Sequence, residues 1–160
     1  MRIILYNIQY LLCLNKGYID YFKIWKYFRS SNKIAFKLAK ELFYYNPDIL
    51  ELIEVDKANF RNKNFDFLNY LENYLNMENI IFLVKYPSTG KLKLLRNLPV
   101  LNKQGNALIT KKDIENVEFI YLKNGLKRLV IRVKFKKPNI NILLIHLSLT
   151  KRTRKKQIFF

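Results

Sequence analysis

The run Asn46-Pro47-Asp48-Ile49-Leu50-Glu51-Leu52-Ile53-Glu54-Val55-Asp56 restricts the possible folds of this chain more than any other segment. Pro47 cannot sit inside a helix with its amide paired, so Ile49 to Val55 begins a new element, apolar and of the length of a buried strand. Ile3 to Ile8 is a second run of that kind. Between them, Lys33 to Tyr45 sets Ile34, Leu38, Leu42 and Tyr45 on one helical face, with Ser31 or Asn32 as its cap, after an aromatic and basic segment from Tyr18 to Phe28. A strand, a crossover containing a helix and a second strand are the signature of a layered α/β fold.

The remaining sequence continues the pattern. Phe65, Leu68, Leu71 and Leu75 predict a helix over Phe65 to Met77, followed by a strand from Ile80 to Val84. Past the Pro87-Ser88-Thr89-Gly90 turn, strands are expected at Leu92 to Leu95, Asn106 to Thr110, Val117 to Leu122, Leu129 to Phe135 and Ile140 to Leu147. Asn124-Gly125 and Lys137-Pro138-Asn139 read as turns, the second closing a hairpin. Ser148 to Phe160 is charged and compatible with a helix. With no repeat and no linker, residues 1–160 read as a single domain, long enough to bury about two thirds of the surface of the unfolded chain.

Thirty Lys and Arg against twelve Asp and Glu give a formal charge of +18, and no acid follows Glu118. Such a field favours a polyanion, nucleic acid above all, and it would also draw the chain to an anionic membrane surface. A general bias toward Lys, Asn, Ile, Tyr and Phe explains the charge equally well. Cys13 is the single cysteine, which excludes an internal disulfide and fits a reducing compartment. Asn7, Gln9 and Asn15 interrupt the apolar amino terminus, and no run reaches the roughly 18 residues of a membrane span, so the expectation is a cytoplasmic protein with no transmembrane segment.

Three of the expected strands alternate apolar residues and then end on a polar one: Ile3, Leu5, Asn7; Leu50, Leu52, Glu54; Ile142, Leu144, His146. On neighbouring strands these groups converge at the strand ends, where ligands collect in layered α/β proteins. A carboxylate beside an amide and an imidazole can bind a hard cation and steer an anionic substrate. Ordinary structural roles suit each one as well: a solvated strand end for Glu54, a turn residue for Asn7, a half-buried and satisfied ring for His146.

The residues around these three resemble the endonuclease/exonuclease/phosphatase superfamily, metal-dependent phosphodiesterases that include deoxyribonuclease I-like nucleases. Arg2-Ile3-Ile4-Leu5-Tyr6-Asn7-Ile8 is similar to the family's first strand, and Asn46-Pro47-Asp48-Ile49 through Glu54-Val55-Asp56 to its second motif. Gln104-Gly105-Asn106-Ala107-Leu108-Ile109 resembles its Gly-Asn-Ala strand, and His146-Leu147-Ser148-Leu149 with Arg152 and Gln157 its His-Leu-Ser segment. The resemblance implies the α/β sandwich of the deoxyribonuclease I-like type. It makes Glu54, with Asn7 beside it, the holder of a Mg²⁺ or Mn²⁺ ion. Asn7, Glu54 and His146 become the catalytic set, with Asn106 and Arg152 on the substrate. Ile53 departs from the family, which has Gln there.

The family's later Gly-Asp-x-Asn and Ser-Asp-His motifs have no counterpart among the 160 residues. The expectation is therefore an incomplete sandwich, one sheet with helices packed on it, that bears the first half of an active site. An apolar sheet face left in water favours a complementary half or self-association. A nuclease-type phosphodiester hydrolase is the leading reading. A basic nucleic-acid-binding remnant without catalysis, half of a split enzyme, and a lipid or inositol phosphate phosphodiesterase are the alternatives.

Overall fold

The computed structural model describes residues 1–11, 32–58, 62–90, 92–99 and 101–159. Cys13, the segment Tyr18 to Phe28 and the expected cap Ser31 lie outside them. Strand β1 (Ile3–Asn7) pairs in parallel with β2 (Ile49–Asp56), Ile3 opposite Ile49 and Asn7 opposite Ile53. The connection carries helix α1 (Asn32–Tyr45), as parallel pairing demands. Helix α2 (Phe67–Tyr74) starts at Asp66, whose carboxylate accepts from the amides of Leu68 and Asn69 at 3.1 and 3.2 Å. Strand β3 (Asn79–Val84) follows.

Residues Leu92 to Leu95, expected as a strand, instead form part of a short helix, α3 (Lys93–Arg96). The Lys93 and Leu95 amides donate to the carbonyls of Gly90 and Leu92, and Leu94 stays exposed, so this apolar run finds no ladder to join. Strand β4 (Gln104–Thr110) enters between β2 and β3, antiparallel to both, and completes a sheet of order β1-β2-β4-β3. Gly105 permits that close approach, since a Cβ there would lie 2.1 Å from the carbonyl oxygen of Leu83.

The single expected sheet is in fact two. Strands β5 (Ile114–Tyr121), β6 (Leu129–Phe135) and β7 (Asn141–Ile145) form a separate antiparallel sheet of three, joined by the Asn124-Gly125 and Lys137-Pro138-Asn139 turns. Helix α4 (Lys151–Ile158) closes the described chain. Two cores hold the layers together. One packs Ala35, Ala39, Leu42, Phe67, Leu68 and Leu71 of the helices on Leu50, Leu52 and Val55 of β2. The other packs Ile49, Ile53 and Leu108 against Ile131, Val133, Phe135 and Leu144 of the second sheet. The order is helices, sheet, sheet, with β2 buried along nearly its whole length.

Candidate functional site

Residues of β2 alternate between the two cores, Leu50 and Leu52 toward the helices, Ile49 and Ile53 toward the second sheet. Strict alternation would send Glu54 to the helices. It does not go there, because the β2–β4 register shifts between Leu52 and Val55, and the irregularity leaves Glu54 as the extra residue, with φ +57°. Left-handed backbone in a non-glycine residue costs on the order of 1–3 kcal/mol and persists only where the surroundings enforce it. Here the Glu54 amide donates to Oδ1 of Asn106, 3.3 Å away on β4, and Asn106 is buried.

Glu54 thus reaches a small cleft that it lines with Tyr10, Lys85, Asn106, Lys127, Arg128 and His146. His146 follows β7 and is half-buried. The Lys127 ammonium lies between them: it donates to Glu54 Oε1 at 2.9 Å and to His146 Nε2 at 2.8 Å. Burial, and then the Lys127 charge, hold the His146 pKa below the ordinary imidazole value despite the opposing pull of Glu54. At pH 7 the ring is neutral. Accepting at Nε2, it carries its proton on Nδ1, the atom 3.9 Å from Glu54 Oε1.

The cleft walls are cationic. Lys85 donates to the Tyr10 hydroxyl at 2.9 Å and sits over the rings of Tyr10 and Tyr86, 5.2 and 4.9 Å from their centroids. Arg128 donates from one terminal nitrogen to the Lys123 carbonyl, while its buried Nε has no hydrogen-bond partner among the described residues. Gln157 of α4 fastens the loops that carry this chemistry. Its Nε2 donates to the carbonyls of Asn124 and Lys127, both at 2.7 Å, and its Oε1 accepts from the Ser148 amide at 3.0 Å. One buried side chain therefore sets Lys127 and the segment just after His146 in fixed relation.

Of the residues singled out in the sequence, Glu54, Asn106 and His146 come together. Asn7 and Arg152 stand outside the cleft lining. Asn7 is exposed and accepts from the Gln9 amide at 3.0 Å, which opens a turn in which Gln9, Tyr10 and Leu11 all have positive φ. Arg152 is exposed on α4. The residues that sequence reading missed are Tyr10, Lys85, Lys127 and Arg128.

The donor set suits a cation, since Glu54 and His146 already hold one, the ammonium of Lys127. Among the described residues no three His, Cys, Asp or Glu side chains are grouped, so a divalent ion in this cleft would have Glu54 as its charged oxygen donor. A single carboxylate is within the one or two usual for Mg²⁺, which takes its other positions from water and substrate phosphate.

No family model matches the sequence, and no curated protein matches it. Solved structures do match the fold. An endonuclease/exonuclease/phosphatase family protein from Leptotrichia buccalis superposes with TM-score 0.61 at 15% identity, over 99% of this chain and 60% of that one. The endonuclease/exonuclease/phosphatase from Beutenbergia cavernae does so with TM-score 0.67 at 17% identity, over 99% and 42%. This chain has the endonuclease/exonuclease/phosphatase fold. The human Nocturnin catalytic domain, solved with a bound sulfate anion, shares it with TM-score 0.58 at 16% identity, over 99% and 56%. The chain thus spans about half the length of these structures. Within the endonuclease/exonuclease/phosphatase fold, the cleft lies where β1, β2 and β3 of the first sheet end and β4 begins, opposite the start of β6 and the end of β7. Among the described residues no helix is long and apolar enough to cross a membrane.

Proposed function

We propose that the chain carries the phosphate-handling part of a phosphodiester hydrolase of the endonuclease/exonuclease/phosphatase type, with nucleic acid as the favoured substrate. The observation that carries this reading is the meeting of one carboxylate, Glu54, and one neutral imidazole, His146, in a cleft walled by Lys85, Lys127 and Arg128. Three cations around a single acid suit an anionic substrate, and the unsatisfied Arg128 Nε–H is a buried donor in want of an acceptor. The sulfate bound by Nocturnin is an oxyanion of comparable geometry on the same fold.

In this reading Lys85, Lys127 and Arg128 bind and orient the phosphate, and Asn106 holds Glu54 at its strained position. His146 meets the phosphoryl oxygen as charge grows on it. Glu54 would hold a divalent ion, Mg²⁺ or Mn²⁺, which when bound would supply neutralisation of charge on the phosphate oxygens. Asn7 acts indirectly, by fixing the turn that presents Tyr10, and Arg152 adds to the positive field of α4. A complementary half or a second copy would cover Ile3 and Leu5, which lie in register with the inward-facing Ile49 and with Glu51 and are 44% and 57% exposed. A cytoplasmic setting goes with the lone Cys13.

The test uses single-stranded and supercoiled DNA and RNA with Mg²⁺ or Mn²⁺. Wild type is expected to cleave at least one of them, and Glu54→Gln to bind but not cleave. Cleavage undiminished in Glu54→Gln refutes the assignment. A charge of +18 also favours a second reading, nucleic-acid binding without chemistry, and binding by wild type with no metal-dependent cleavage selects it.

A further inference from the structure

We propose that Lys127 is a built-in competitor for the cation position, which keeps a divalent ion off Glu54 until a phosphate draws the ammonium away. The proposal rests on the hydrolase reading and adds a residue to it that the sequence motifs do not include.

The geometry is specific. The Lys127 ammonium is 2.9 Å from Glu54 Oε1 and 2.8 Å from His146 Nε2, so it bridges the carboxylate and the imidazole rather than lying beside one of them. The Lys127 and Glu54 side chains are only 25% and 17% exposed, so the interaction is less screened than one on an open surface. A divalent ion bonded to the same carboxylate oxygen would sit at roughly 2.0–2.6 Å from it. It would meet the ammonium at close range, with Lys85 and Arg128 adding repulsion from the same cleft. Two cations therefore contend for one acid.

The backbone of Lys127 is held where it is, because its carbonyl accepts from Gln157 and the next residues run into β6. Only its flexible four-carbon stem is free to swing. A phosphate in the cleft offers the ammonium new acceptors, so Lys127 passes from Glu54 to the phosphate and the divalent ion takes its place. Binding of anion and metal is then mutually reinforcing, as linkage requires of any pair of ligands that favour the same arrangement. If instead Lys127 were a plain ion pair of the kind worth little on most protein surfaces, its removal would leave metal affinity unchanged.

The experiment follows Mn²⁺ binding by the electron paramagnetic resonance of the free ion, without turnover. Wild type, Lys127→Met and Glu54→Gln are compared, and wild type is repeated with dimethyl phosphate as the anion. Lys127→Met is expected to bind Mn²⁺ at least about tenfold more tightly than wild type. Dimethyl phosphate should tighten wild type toward the same value, and Glu54→Gln should not bind. Equal affinity in wild type and Lys127→Met, with binding still dependent on Glu54, overturns the competition and leaves the hydrolase reading standing. No binding in any of them overturns the metal part of both.

A measurement on the wild-type chain covers the case in which Lys127→Met does not fold. Acetylation of Lys127 by acetic anhydride, followed by mass spectrometry, should accelerate severalfold when Mn²⁺ saturates the site, relative to the remote Lys134. An unchanged ratio overturns the proposal.

Discussion

Glu51 gives the sharpest test of the packing. It stands in the middle of β2 between Leu5 of β1 and Leu108 of β4, only 6% exposed, and its Oε1 has no hydrogen-bond partner among the described residues. Burial raises its pKa above the ordinary 4.5. The folded state therefore holds the Glu51 proton more tightly than the unfolded chain does. The stability linked to that proton is complete below pH 4.5 and is lost as pH rises through the folded-state value. Glu51→Gln keeps the shape and removes the titration. Leaving a buried polar group unsatisfied costs about 1–3 kcal/mol, more when it is charged, so at pH 7 the Gln variant should be the more stable by at least about 1 kcal/mol. For a chain of this size that is roughly 2–4 °C in Tm. Urea melts of both proteins at pH 4.0, 5.5 and 7.0 measure it, and effects of the other carboxylates cancel in the difference. A gap that stays constant with pH, or that moves in favour of wild type as pH rises, would refute the reasoning.

Two further outcomes follow from the loops around the cleft. Gln157→Leu removes two donated bonds and one accepted bond from a buried position, and should cost about 2–3 kcal/mol in a urea melt while weakening binding of a phosphodiester, because Lys127 loses its anchor. Gly125→Ala should cost at least about 1–2 kcal/mol in the same assay, since φ is +82° and the new methyl would lie 2.2 Å from Ser148 Oγ.

Much of this arrangement is written in local sequence. Pro47 and the apolar run after it mark β2, the register of Leu68 and Leu71 marks α2, and Asn124-Gly125 marks the β5–β6 turn, because each acts through its own local chemistry. The convergence of Glu54 and His146 was also legible, but by a count that fails in detail. Simple alternation puts Leu50, Leu52 and Glu54 on one face, whereas Leu50 and Leu52 face the helices and Glu54 does not. The register shift that separates them has no local signal, being set by how β4 pairs across it. Leu92 to Leu95 departs from its strand pattern for a related reason: an apolar run becomes a strand only where a neighbour offers a ladder. Lys127 was invisible because it is one among thirty basic residues and owes its role entirely to contacts with Glu54 and His146.

The bulge in β2 makes the site depend on parity as well as composition. Replacing Ile53 or Val55 by another apolar residue leaves the odd-even order of the strand untouched, whereas losing Ile53 would straighten the ladder and set the acid one step back along it, in the place where Ile53 faces the second sheet. Substitutions can drift along this strand without moving the carboxylate, but a one-codon deletion would shift it along the ladder and release the left-handed backbone that holds it, in a single step.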